Sequence, residues 1–119
     1  MEDSPKRRDL EDRTFLFAQA IRTFVKTLPR TLSNTEDIRQ LVRASGSVAA
    51  NWIEADDALS KKDFLMHAKI CRKEAKESRL FLRLVEAGTD NANHCDRLTA
   101  EARELTLIFS AIISKSGGG

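Results

Sequence analysis

The feature that most constrains this chain is a run of spacings. Phe64, Ala68, Cys71, Ala75, Ser78, Leu82 and Val85 recur at intervals of 4-3-4-3-4-3. A period near 3.5 residues places all seven on one stripe of an α-helix and on alternating faces of a strand, so this segment reads as helix. Its small members let a neighbouring helix approach closely. The same periodicity appears three more times. Thr14, Phe17, Ile21, Phe24 and Leu28 mark a first helix, widened by Phe15, Leu16, Ala20 and Val25 and stopped by Pro29. Ile38, Leu41, Ser45, Val48, Trp52 and Ala55 mark a second, fading at Asp56 and Asp57. Cys95, Leu98, Ala102, Leu105, Phe109 and Ile112 mark a fourth.

The punctuation between these stretches agrees. Ser33 with Glu36, and Asn34 with Asp37, have the spacing of capping pairs before the second helix; Ser60 with Asp63 has it before the third. Gly88 is placed to close the third helix in a left-handed conformation, and Thr89 or Asp90 to cap the fourth. The chain has five glycines, three of them its last residues, and two prolines. So few breakers suit long helices. Four helices of roughly 18–27 residues, each about 27–40 Å long, joined by short connections, predict an all-α, antiparallel up-down-up-down four-helix bundle. Its expected extent is residues 9–115, with a flexible basic N-terminal arm at 1–8 and a flexible glycine tail at 116–119.

With 41% apolar and 32% charged residues, the chain is too apolar for disorder and too charged for a membrane protein. It shows no secretory signal, and its two cysteines fit a reducing cytoplasm. Neither a disulfide framework nor a nucleotide-binding α/β domain is compatible with the pattern. Two apolar groups exceed one seam: Phe15-Leu16-Phe17 and Ile112-Ile113. Either they widen the core face or they form a subunit interface, with Phe15, Phe17 and Ile112 as its residues.

Chemistry-bearing residues are sparse. His67 and Cys71 share a helix face, and His94 and Cys95 open the fourth helix. In an antiparallel pair the two cysteines lie roughly 20 Å apart, which excludes a disulfide or a shared tetrahedral metal site between them. No nucleophile elbow, phosphate-binding glycine loop or zinc-protease motif is present. Glu54, Asp56 and Asp57 cluster where the second helix ends, the one place for a metal or hydrolytic site, and read more simply as loop residues. The expectation is a non-enzyme with no cofactor and no metal.

Two polar patterns remain. Arg43, Ser47, Asn51 and Glu54 run beside the apolar seam of the second helix. They make either a hydrogen-bonded seam between helices, with Lys61 and Lys62 as partners for Glu54, or a polar binding surface. Residues 61–89 carry eight basic and four acidic side chains. Lys69, Arg72, Lys73, Lys76, Arg79 and Arg83 fall at three-four spacing and form a stripe three to four turns long. It reads as a solvated face partly neutralised by Glu74 and Glu77, or as a track for a phosphate backbone, with Lys6, Arg7 and Arg8 as a second basic cluster.

The block Gln40 to Ala55 (QLVRASGSVAANWIEA), followed by Ser60-Lys61-Lys62-Asp63-Phe64, resembles the signature of the bacterial four-helix-bundle family encoded in intervening sequences of 23S ribosomal RNA genes, related to Avd, the accessory protein of diversity-generating retroelements. Ile70 to Arg79 and Glu101 to Ile113 resemble its third and fourth helices; Ala55 stands where the family often has glycine, and Leu80-Phe81 where an aromatic pair is common. The resemblance implies a homo-oligomer, a barrel-shaped pentamer in related structures, with no known catalytic activity. It also implies partners of two kinds, RNA or DNA and a reverse transcriptase, met through a basic surface. The function expected is that of an oligomeric accessory protein binding nucleic acid or a nucleic-acid-processing protein through Lys69, Arg72, Lys73, Lys76, Arg79 and Arg83. The alternative is a protein-only scaffold or adaptor.

Overall fold

The computed structural model describes the backbone of residues 5–118 and the side chains of residues 9–118. Four α-helices account for most of it: α1 (Pro5–Val25), α2 (Leu32–Asp56), α3 (Lys61–Leu84) and α4 (Ala92–Lys115), with one 3-10 turn at Thr89–Asn91 and no strand among the described residues. Pro5 occupies the first helical position, where its missing N–H would have had no partner. Residues 5–8, expected as part of an arm, therefore continue α1. The side chains of Lys6, Arg7 and Arg8 lie outside the described residues.

α1 ends four residues before Pro29, and Thr31 caps α2: its Oγ1 accepts the Asn34 N–H at 3.1 Å. The capping pairs read at Ser33 and Asn34 are thus displaced. Asn34 does something else. It is fully buried, donates from Nδ2 to the carbonyls of Pro29 and Glu86, and accepts the Glu86 N–H at Oδ1, each at 2.9 Å. One amide side chain thereby fastens the α1–α2 connection to the segment after α3.

At the opposite end Ser60 caps α3, accepting the Asp63 N–H at 3.1 Å as the sequence spacing predicts. α3 ends at Leu84, followed by extended Val85. Gly88 has φ +81° and ψ 165°, a region open essentially to glycine, but it leads into the 3-10 turn instead of closing α3. α4 begins after that turn, so neither Thr89 nor Asp90 is its cap.

Residues 116–118 of the expected glycine tail form a helix terminus. Gly117 has φ +79° and donates to Ser114 O at 3.1 Å; Gly118 donates to Ile113 O at 2.9 Å. This pair of bonds is a Schellman cap. A Cβ on Gly118 would lie 2.8 Å from Leu65 Cδ2, so the terminus packs on α3. The helical unit thus runs over 5–118 and is 46 Å in its longest dimension.

Each helix packs against the next in sequence, and α1 and α4 meet along a shorter stretch. Side-chain partners set the direction of α2 against α3: Asn51 meets His67, the Val48 carbonyl meets Cys71, and Arg43 meets Glu74 and Glu77. Numbers rise on one helix as they fall on the other, so the two run in opposite directions. Ala68, Cys71, Ala75 and Ser78 are fully buried, which lets neighbours approach until the Cys71 thiol reaches Val48 O at 3.5 Å. Trp52 lies in the core, its ring 6.2 Å from Phe64 and 5.9 Å from Phe109. Burying each such side chain contributes about 1.5–3 kcal/mol.

One apolar reading is corrected. Phe17 is 2% exposed and belongs to the core of the single chain, whereas Phe15 and Leu16 are 58% and 57% exposed. Successive residues advance about 100° around a helix, so Phe15 and Phe17 point to opposite sides. Ile113 is fully buried in the core, and Ile112 is partly buried against it.

Candidate nucleic-acid interface

The arrangement begins on α2. Arg43 reaches across to α3 and forms ion pairs with Glu74 at 3.3 Å and Glu77 at 2.8 Å. The hydrogen bond to Glu74 is the main influence raising the Arg43 pKa, partly offset by desolvation. Asn51 donates to the Ser47 carbonyl and hydroxyl, each at 3.0 Å, and its Oδ1 lies 3.0 Å from His67 Nδ1. Arg43, Ser47 and Asn51 are therefore a seam between α2 and α3. Glu54 is not part of it: it is exposed, and among the described residues no ion pair joins it to Lys61 or Lys62. His67, which has no obvious role in the sequence, joins Arg43, Ser47 and Asn51 in the seam.

This seam changes the meaning of the basic stripe. Glu74 and Glu77 share a helix with the cations, but Arg43 draws both toward α2. Lys69, Lys73, Lys76 and Arg83 are exposed, and Arg72 and Arg79 are half-buried. At 100° per residue the six fall within an arc of about 120°. No described carboxylate forms an ion pair with any of them, because the described ion pairs are Arg13–Glu101, Arg43–Glu74 and Arg43–Glu77. From Lys69 to Arg83 the row is about 21 Å long.

At its C-terminal half the row borders a groove between α3 and α4. The groove holds about 340 Å³ and is lined by Lys76, Arg79, Leu80, Arg83, Arg103, Thr106 and Leu107. Arg79 Nε is buried there and has no acceptor among the described residues. Arg103 is a residue that sequence reasoning missed. It is one of three basic residues scattered along α4 without a three-four repeat, and joins the others only because α4 lies beside α3. The cations and the groove can neutralise several phosphates in a row; they contain no nucleophile poised beside a base.

A second groove of similar size lies where α1 and α4 diverge, lined by Asp9, Asp12, Arg13, Leu16, Phe17, Ala20, Leu98 and Glu101. Arg13 grips Glu101 there with two hydrogen bonds, 2.7 and 2.8 Å. Exposed Phe15 and Leu16 stand on the same helix.

Cys71 is buried and Cys95 partly buried, both as free thiols. Burial pushes the Cys71 thiol up to about 12, and burial also raises that of Cys95, which donates to Leu82 O at 3.2 Å. His94 packs edge-on to Phe24, with ring centres 5.2 Å apart. Among the described residues no three His, Cys, Asp or Glu side chains gather as a metal ion requires, and no helix is long and apolar enough to cross a membrane.

Comparison with known proteins gives one family. The 23S rRNA-intervening sequence protein family model matches residues 8–111. Among solved structures, a protein of unknown function from the S23 ribosomal protein family of Bacteroides thetaiotaomicron VPI-5482, determined at 1.70 Å, is similar throughout. It is 26% identical, superposes with a TM-score of 0.78, and the match covers 92% of this chain and 98% of that one. No curated protein matches.

Proposed function

The chain belongs to the 23S rRNA-intervening sequence protein family, and from that premise we propose that it is a non-enzymatic accessory protein that binds nucleic acid through α3. In this reading the four helices form an antiparallel up-down-up-down bundle. Several copies assemble as a homo-oligomer, a pentamer by resemblance to the Avd accessory proteins, so that the cation row repeats. The assembly works in the bacterial cytoplasm, with RNA or DNA and a nucleic-acid-processing enzyme such as a reverse transcriptase as its partners. The observation that carries the reading is the uncompensated charge. Lys69, Arg72, Lys73, Lys76, Arg79 and Arg83 share one face, while Arg43 holds Glu77, the carboxylate four residues from Lys73, together with Glu74. Charge left unpaired along about 21 Å is suited to a phosphate backbone.

The test is fluorescence anisotropy of a structured RNA titrated with the protein at low and near-physiological salt. Binding should weaken steeply with salt, with a logarithmic slope of about −4 to −5 for six neutralised phosphates. Changing Lys69, Lys73 and Lys76 together to Glu should abolish binding with helicity unchanged. Retained binding overturns the assignment.

A second reading, a protein-only scaffold, rests on Phe15 and Leu16, adjacent and each more than half exposed. There the row is ordinary solvated surface, and Phe15→Ser should lower the assembly's mass or lose the protein partner, while the triple Glu variant should change neither.

A further inference from the structure

We propose that the groove between α3 and α4 seats an unpaired nucleotide, so that the ligand is a single strand and not a duplex. This inference rests on the nucleic-acid reading above and specifies its substrate. The groove joins two chemistries. Lys76, Arg79, Arg83 and Arg103 bring positive charge from two helices, and Leu80 and Leu107, 46% and 48% exposed, supply apolar surface between them. A phosphate uses the first and has no use for the second. A nucleotide uses both, since its phosphate is anionic and its base has an apolar face. In a duplex the base faces are stacked inside, and the leucines would meet only sugar and phosphate.

A further observation agrees: the Nε of half-buried Arg79, a residue lining the groove, has no acceptor among the described residues, so turning this side chain toward a ligand oxygen breaks no hydrogen bond of that donor. The groove's volume of about 340 Å³ lies within the range of small-ligand sites. A free mononucleotide would leave the rest unused, because the cations continue along α3 to Lys69, about 21 Å from Arg83. The strand therefore lies along α3, with phosphates on successive turns and one base turned into the groove.

The test compares a fluorescein-labelled 12-nucleotide uridine strand with the duplex it forms with its complement, at matched salt, using the whole chain. The single strand should bind about tenfold more tightly, the worth of burying roughly 50 Å² of leucine surface. Leu80→Ser with Leu107→Ser should erase that preference while leaving the salt slope unchanged. Arg103→Gln should reduce the single-strand slope by about 0.7. Equal or tighter duplex binding overturns the proposal while leaving nucleic-acid binding intact, and so does a preference that survives the leucine changes. Displacement of the strand by micromolar AMP also overturns it, because the groove would then be a mononucleotide site. Absence of binding to either form at low salt removes the underlying reading and this proposal with it.

Discussion

Replacing Asn34 with Ala should be among the most damaging single changes outside the apolar core. The wild-type side chain is fully buried and makes three hydrogen bonds of 2.9 Å, two to Glu86 and one to Pro29. Each buried bond is worth roughly 1 kcal/mol net, and an orphaned Glu86 N–H adds a further penalty, so the expected loss is about 3 kcal/mol. For a domain of this size that corresponds to a fall in Tm of about 12 °C. The assay is urea unfolding followed by circular dichroism, with Thr35→Ala as the control. Thr35 is next in sequence but exposed, and its hydroxyl only donates back to Thr31 O, so its loss should stay within about 0.5 kcal/mol. Hydrogen exchange locates the effect: the Glu86 amide should lose its protection in Asn34→Ala. A loss under about 1 kcal/mol with the Glu86 amide still protected would refute the view that Asn34 fastens the two connections.

Two other outcomes follow from the same geometry. The Cys71 thiol is held up to about 12 by burial, so the folded chain keeps a proton that the unfolded chain releases near 9; stability should fall by about 1.4 kcal/mol per pH unit as pH rises between those values. Urea titrations of wild type and Cys71→Ala across that window check this, since the variant should lack the component. Arg43→Met leaves Glu74, whose side chain is only 8% exposed, without its ion partner. The cost should be about 1–2 kcal/mol, discounted because Arg43 is itself half exposed, and Glu74→Gln in the same chain should recover most of it in a double-mutant cycle.

The helices were legible because helical burial is a local property. One turn takes 3.6 residues, so the three-four spacing of Ile21, Phe24 and Leu28, or of Ala68, Cys71 and Ala75, identifies the inward face before any partner is known. The cap at Ser60 was legible for the same reason, since donor and acceptor lie three residues apart. Where reading failed, more than one element was involved. The sequence offers Asn34 as a cap, and a cap needs only its own helix; its actual partners include Glu86, 52 residues away. Gly117 and Gly118 resemble a loose tail until Lys61 and Leu65 of α3 are beside them. Phe15, Leu16 and Phe17 form one apolar triplet in sequence, and helical rotation sends only Phe17 inward.

The candidate site divides in the same way. Sequence alone determined the basic row on α3, because Lys69 to Arg83 repeat at a spacing that no tertiary contact can alter. It could not determine whether that row is neutralised. Glu77 lies four residues from Lys73 on its own helix, where such a pair contributes only a few tenths of a kcal/mol, and Glu74 has no cation three or four residues away. The tertiary structure brings α2 alongside and gives both carboxylates to Arg43, and it brings α4 alongside and adds Arg103 and Leu107 to the groove. The physical reason is the range of the interactions. Periodicity follows from backbone geometry within a few residues, whereas the choice of charge partner depends on which side chains packing places within about 4 Å, and only the fold sets those neighbours.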